Sequence, residues 1–437
     1  MSSFDVVIVG GGMVGASLAL ALEGTGLQVL LIEGVAPGSN AQPSFDDRTT
    51  ALGNASRRIF ESLGIWPVIA PEAAAIRTIH VSDAGRFGFA RLDATEQGID
   101  AFGYIVTNRA IGTALWAKLA SAKGITLRVP AHPDAVEIAA DGVRMSVVDD
   151  RPGAQRGDSA TTSTPRREGA VIENAVGSVS GVEHITARLV VAADGAHSSV
   201  RAAAGIDATV EDYDQVAIAA NVRTDRRHDG TAYERFTPSG PLALLPLHDG
   251  SYGVVWSAVP ADAARLLVLP DAAFIDELQA RFGWRAGRFT RVGRRASYPL
   301  KLTRAATTVG TRSVLIGNAA QALHPVAGQG FNLGLRDAAM LAELLARTRA
   351  GSVSEDPGSP ELLARFEAWR SGDRGGVIRF TDGLIKLFGD QRPGVGLARN
   401  FGLLLFDLMP PAKSALARVS AGFAGPTPRL ARGLGVR

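Results

Sequence analysis

Cysteine is absent from all 437 residues. Its absence excludes disulfides, thiolate metal sites, dithiol redox chemistry and a cysteine nucleophile. Any redox work must therefore come from a bound cofactor, and no metal centre is expected. A large excess of one charge is also missing. The formal net charge is +3, so wholesale nucleic-acid binding is not indicated. One apolar stretch could be taken for a membrane span or leader, and is not expected to be either. Residues 6–22 are apolar, but Asp5, Glu23 and the triplet Gly10, Gly11 and Gly12 interrupt or bound them, with no basic flank or cleavage site. This points to a cytoplasmic chain. An apolar fraction of 46% and a charged fraction of 20% are those of a globular protein with room for two or three domains.

The chain is organised around residues 314–345, VLIGNAAQALHPVAGQGFNLGLRDAAMLAELL. Val314, Leu315 and Ile316 read as a buried strand, and Met340, Leu341, Leu344 and Leu345 lie at helical spacing. The loop between them carries Gly317, Asn318, His324, Pro325, Gly328, Gln329, Gly330 and Asn332. Gly328 and Gly330 remove side chains where a flat ligand could press on the backbone. The following helix would aim free N–H groups at that ligand. An isoalloxazine ring, which gains negative charge on reduction, suits such a place.

Near the N-terminus, residues 4–9 (FDVVIV) form a short strand. Gly10, Gly12 and Gly15 then give GxGxxG, with Val14 inside the motif, ahead of an apolar helix. A second strand, residues 29–32, ends at Glu33. Glycines, helix and acid in this order are the dinucleotide fingerprint, and a carboxylate at Glu33 suits FAD or NAD and repels a 2′-phosphate. Residues 189–192 form another buried strand, followed by Asp194 and Gly195. Gly10, Asp194 and Gly317 are thus three strand ends of the kind that bind ligands in α/β sheets. An extended FAD needs three; a nicotinamide dinucleotide rarely does. Arg109 lies early in a helix, against the dipole, which implies an anionic partner.

These motifs resemble those of the single-component flavin aromatic hydroxylases. In that resemblance GxGxxG with Glu33 is the ADP site, Asp194 with Gly195 is the DG motif, and Gly317 with Asn318 is the flavin-ribityl GD motif. Asn318 departs from the usual Asp, in the form typical of the ubiquinone-biosynthesis hydroxylases. The resemblance implies FAD contacts from Arg48 (in Asp46, Asp47, Arg48) and from Arg109, with NAD(P)H binding transiently near Asp194 and O2 as oxidant. Stretches such as TAYERFTPSGPLALLPL and FTDGLIKLFGD are most similar to the 2-polyprenyl-6-methoxyphenol hydroxylases. They imply formation of 2-polyprenyl-6-methoxy-1,4-benzoquinol. Pro325, Gly328 and Gln329 would line the substrate space. His324 is a tentative helper in phenol deprotonation, although a hydrogen-bonded structural histidine is the simpler reading. A flavin-dependent polyprenyl reductase and a non-catalytic FAD-binding subunit are the alternatives.

The expected architecture is α/β: a Rossmann-like FAD-binding domain of the aromatic-hydroxylase type, an interposed antiparallel-sheet substrate domain and a helical C-terminal tail. FAD-binding segments are expected at 1–78, 105–212 and 298–346, substrate-domain segments at 79–104 and 213–297, and helices over 347–437. Residues 149–182, rich in Ser, Thr, Gly, Arg and Pro, read as a flexible surface insertion. Residues 127–147 read as a β-meander. In the tail, Leu403, Leu404, Leu405 and Phe406 sit among Arg399, Lys413, Arg418, Arg429, Arg432 and Arg437. An apolar face with basic neighbours can rest on an anionic inner membrane, where a polyprenyl phenol and a ubiquinone-biosynthesis complex would be met. A core helix is the equally open alternative.

Overall fold

The computed structural model describes residues 2–37, 39, 48–150, 182–324, 328–349, 355–390, 392, 394–422, 425 and 427–436. Asp46, Asp47, Pro325 and residues 151–181 of the polar insertion lie outside the described residues.

The first strand, Ser2–Val9, shows why the chain builds a layered sheet. Its side chains alternate between two cores: Val6 and Ile8 enter one, Val7 and Val9 the other. A strand apolar on both faces needs cover on both sides. It pairs in parallel with Val29–Ile32 and Val182–Ala192. Beyond these, also in parallel, lie Ile125–Arg128 and Ser313–Leu315. Residues 127–147 are therefore only partly a meander: Ala131–Ile138 and Val143–Asp149 are antiparallel, whereas Ile125–Arg128 joins the parallel run beside Val29–Ile32. The helices Met13–Ala21 and Gln329–Arg347 cover one face with Leu18, Leu335 and Leu341.

A second sheet of nine strands is antiparallel apart from the pairing of Thr78–Asp83 with Thr231–Thr237. It contains the long strands Ala208–Thr224 and Ala296–Ala305, which run through the expected divisions at 212/213 and 297/298. The helices Pro260–Val268 and Asp271–Phe282 close its outer face around Trp256, Phe274 and Phe282. A three-stranded sheet of Thr49–Gly53, Gly103–Thr107 and Ala74–Ile76 bridges the two.

The tail is not an appendage. The helix Pro360–Gly389 sends Leu362, Leu363 and Phe366 into the first core, and its far end stacks Phe388 on Phe236 with centroids 3.6 Å apart. Its phase also delivers Arg370, 0% exposed, beneath the Gln329–Arg347 helix. There Arg370 Nε donates to Asp337 Oδ1 at 2.6 Å and Nη1 to Asp373 Oδ2 at 2.5 Å, while Arg336 Nε donates to Asp373 Oδ2 at 3.0 Å. Burial alone would push the Asp373 carboxyl up; the Arg336 and Arg370 guanidinia outweigh it and hold it below the usual range.

The expected membrane patch is rearranged. Leu403 packs toward Phe236 and Phe388, and Phe406 toward the core beneath the second sheet. Arg399 is buried against Asp83 at 2.6 Å and Lys413 pairs with Asp407 at 3.0 Å, so neither is available to headgroups. The helix Val395–Asp407 instead turns other residues outward.

The buried cluster holds two arginines and two aspartates in balance. Arg370→Met should leave the buried Asp337 carboxylate without its guanidinium, and Asp373 with Arg336 alone, and cost about 3–5 kcal/mol. Chemical denaturation monitored by circular dichroism checks this. A loss under about 1 kcal/mol would mean that water reaches the cluster.

Candidate functional site

Three strand ends of the first sheet open into one cavity of about 540 Å³. Its lining includes Gly10, Gly12 and Val14 from the first turn and Glu33 from the second strand. Asp194 and Gly195 come from the third strand, and Gly317, Asn318 and Gly330 from the 314–345 stretch. The structure thus brings together nine of the residues singled out in the sequence.

Glycine is required at the crossing point. Gly10 has φ +102°, and a Cβ there would meet the Ala193 carbonyl oxygen at 2.4 Å. A Cβ on Gly15 would meet the Gly10 carbonyl oxygen at 1.9 Å. These glycines let the Met13–Ala21 helix start directly against two strand ends. Gly12 differs: its backbone (φ −60°, ψ 178°) suits any residue, yet it lines the cavity. Gly317, at φ +57°, lies against Val14, and Gly334 against Gly317, which seats the second helix on the first turn.

Electrostatically the cavity is built for an anion with hydroxyls. Both helices whose N-termini border it, Met13–Ala21 and Gln329–Arg347, lack an acid in the first turn and a side-chain cap. Their leading N–H groups carry the positive ends of two dipoles. Glu33, 9% exposed, accepts from the Gly11 N–H at 2.6 Å and the Val35 N–H at 2.9 Å. Its carboxylate therefore braces the glycine turn as well as lining the cavity. Asp194 Oδ2 accepts from the Ser199 N–H at 2.8 Å, whereas Oδ1 is buried with no hydrogen-bond partner among the described residues. A buried carboxylate oxygen in that state lacks a donor such as a ligand hydroxyl.

Several expected residues lie elsewhere. Asn332, 3% exposed, uses its amide on the protein itself: Oδ1 accepts from the Gly53 N–H (2.9 Å) and Ser56 Oγ (2.7 Å), and Nδ2 donates to the Ala51 and Gly328 carbonyls. It pins the second helix to the three-stranded sheet and does not line the cavity. Gln329 is buried at that helix start, also outside the lining. Gly328, at φ +60°, lies against Ala51. Arg48 and Arg109 come together on one side, because the Asn108 N–H donates to the Arg48 carbonyl at 2.8 Å. Arg48 lies over the Tyr298 ring, and Arg109 is exposed in the first turn of Asn108–Leu119.

Sequence reasoning missed His132, Pro133 and Phe331, which also line the cavity, and Trp116, whose Nε1 donates to the Gly11 carbonyl at 3.1 Å. His132 and Pro133 sit on a strand outside the fingerprint. Phe331 was one residue from a named neighbour.

His324 is 2% exposed, with its ring edge-on to Tyr213 at 5.4 Å. Burial lowers its pKa to about 4, so it is neutral at pH 7 and a weak base toward a phenol, whose own pKa is about 10. The unfolded chain binds a proton at this histidine below about 6.5 and the folded chain only below about 4. Stability should therefore fall as pH drops from about 6.5 to about 4 and be flat above. His324→Gln should remove about 3 kcal/mol of that change. His80, also lowered to about 4 by burial and by Arg285, leaves a residual slope. Urea midpoints at pH 7.5, 5.5 and 4.5 check this.

Residues 3–372 match the family described as FAD binding domain. The ubiquinone hydroxylase UbiL of Rhodospirillum rubrum is 38% identical over 435 residues, covering 98% of this chain and 93% of that protein. The 3-demethoxyubiquinol 3-hydroxylase of Escherichia coli is 31% identical, covering 92% and 94%. In fold, the p-nitrophenol 4-monooxygenase PnpA of Pseudomonas putida aligns with a TM-score of 0.75 at 19% identity, over 97% of this chain and 99% of that one. The glycine-lined cavity at three strand ends and these full-length matches agree: the chain belongs to the family of FAD-dependent monooxygenases that includes the hydroxylases of ubiquinone biosynthesis.

Proposed function

We propose that this monooxygenase hydroxylates a polyprenyl phenol in ubiquinone biosynthesis, converting 2-polyprenyl-6-methoxyphenol to 2-polyprenyl-6-methoxy-1,4-benzoquinol. The observation that supports it most is the cavity, whose donors and acceptors fit FAD along its length. Gly12 and the N-terminus of Met13–Ala21 would take the pyrophosphate, and Glu33 a ribose hydroxyl. Asp194 Oδ1 would accept from a ribityl hydroxyl, with Gly317 and Asn318 beside it. Gly330 and the second helix N-terminus would face the ring. Arg48 and Arg109 would contribute from the side of the three-stranded sheet.

Bound FAD supplies electron transfer from NAD(P)H and activation of O2. The balance is phenol, O2, NAD(P)H and a proton going to hydroquinone, water and NAD(P)⁺. The chain's part is to bind, orient and exclude water. The nine-stranded sheet would serve as the substrate domain, with NAD(P)H visiting near Asp194 and Gly195. The work would be done in the cytoplasm, peripherally at the inner membrane and beside other enzymes of the pathway.

Incubation with a prenylated methoxyphenol, NAD(P)H and ¹⁸O2 should give one ¹⁸O in the ring product by mass spectrometry. Saturation of the prenyl chain without ¹⁸O would mean a reductase. Absence of substrate-stimulated NAD(P)H oxidation by FAD-loaded protein would mean a non-catalytic subunit.

FAD should be non-covalent and released on denaturation. Gly12→Leu places a side chain on an unstrained backbone at the cavity wall, so the variant should fold with a near-normal Tm but purify colourless. Full flavin content in that variant would move the pyrophosphate site elsewhere.

A further inference from the structure

The helix Val395–Asp407 is only partly packed in the usual sense. Beside Leu403 and Phe406, its inward face is polar: Arg399 is buried against Asp83, and Asn400, 1% exposed, accepts from the Gly88 N–H at 2.7 Å and donates to Asp83 at 3.2 Å. Asp407 accepts from the Arg91 N–H at 2.8 Å. Its outward face is apolar. Leu397 (53% exposed), Phe401 (58%) and Leu405 (61%) follow at four-residue steps, with Leu408 (78%) and Met409 (44%) just beyond the helix end. Phe87, 57% exposed, extends the stripe by packing edge-on to Phe401 at 6.0 Å. A water-facing helix buries this kind of stripe and exposes its polar residues. This packing holds the apolar row outward with buried ion pairs and hydrogen bonds, an expensive way to arrange a surface unless that surface meets an apolar medium.

We propose that this face is an interfacial docking surface for an anionic lipid bilayer. Three observations choose lipid over a second protein. No helix among the described residues is long and apolar enough to cross a membrane, so the stripe can lie in the interface without spanning it. Its rim carries Arg86, Arg91 and Arg392, each beside one acid (Asp83 at 3.6 Å, Asp93 at 3.5 Å and Asp390 at 2.5 Å) but with side-chain exposures of 46%, 58% and 79%, so that, unlike the buried Arg399 and Lys413, their guanidinia stay open to headgroups. Third, resting on the proposed function, the substrate's polyprenyl tail dissolves in a bilayer and not in water. Phe401 and Leu405 would enter the acyl boundary while the arginines meet headgroups. The contact belongs to the outward stripe, not to Leu403 and Phe406, which pack against the protein, with Leu404 half-buried beside them.

The test is co-sedimentation of the FAD-loaded protein with phosphatidylcholine vesicles with and without phosphatidylglycerol. Wild type should bind the anionic vesicles, and raised salt should weaken binding. Phe401→Asp with Leu405→Asp should lower partitioning at least tenfold, leaving Tm and turnover of a short-prenyl, water-soluble phenol unchanged. Arg86→Gln with Arg91→Gln should reduce the dependence on phosphatidylglycerol. Variants that bind like wild type would overturn the proposal, as would a wild type that stays in the supernatant. So would one that forms a dimer lost in Phe401→Asp while ignoring vesicles, since the face would then cover a second copy. Failure of the water-soluble phenol to react, with vesicle binding intact, would overturn the proposed function and leave the docking face standing.

Discussion

The Asp337 carboxylate, 1% exposed, is the point on which the site depends. One oxygen accepts from Arg370 at 2.6 Å. The other accepts from Gln321 Nε2 at 3.0 Å and lies 3.4 Å from the Gly317 N–H. A charge taken out of water must be fully answered by neighbours, or folding is opposed by several kcal/mol. Satisfying it fixes three things at once: the turn at Gly317, the start of the loop that returns to the second sheet, and the placement of the Pro360–Gly389 helix. The cavity wall and the tail are thereby one structural unit, and a fault in either is felt in the other.

The cavity divides its work between residues that give space and residues that give charge. Gly10 and Gly15 work by having no side chain, because the backbone already fills the positions a Cβ would take. Glu33 commits both oxygens to backbone N–H groups, and Asp194 commits one to the turn at Ser199. For Asp194 the second oxygen is left for a ligand. The two helix N-termini add positive potential without a titratable group, so this attraction for a phosphate chain does not change with pH. Such a site is specified mostly by backbone, which is why it can be strict about shape.

What was legible in the sequence was local. A glycine turn between a strand and a helix declares itself within about twenty residues, and each strand end could be read from its own β-branched run. Asn332 could not be assigned this way. Its neighbours in the chain place it in a cofactor loop, while its four hydrogen-bond partners come from residues about 280 positions away or from the turn before it. Arg370 was equally silent, since one of four arginines along a helix reads as surface until the helix phase puts it under Asp337. The strand Ile125–Arg128 was misplaced because pairing partners, not composition, decide whether a strand is parallel.

The tail shows the same limit most sharply. Four consecutive apolar residues on a helix, Leu403 to Phe406, are spread by 100° per step over most of its circumference, so the run says nothing about which of them faces out. The phase is set by residues the run does not contain. Arg399 and Asn400 both reach Asp83, itself buried, and those bonds turn Leu403 inward and Leu405 outward. The apolar stripe therefore follows from buried polar contacts: remove the Asp83 interactions and the helix would be free to roll its leucines into the protein. An exposed hydrophobic row maintained by such contacts is a feature the fold imposes, and its chemistry is that of the solvent it was shaped to meet.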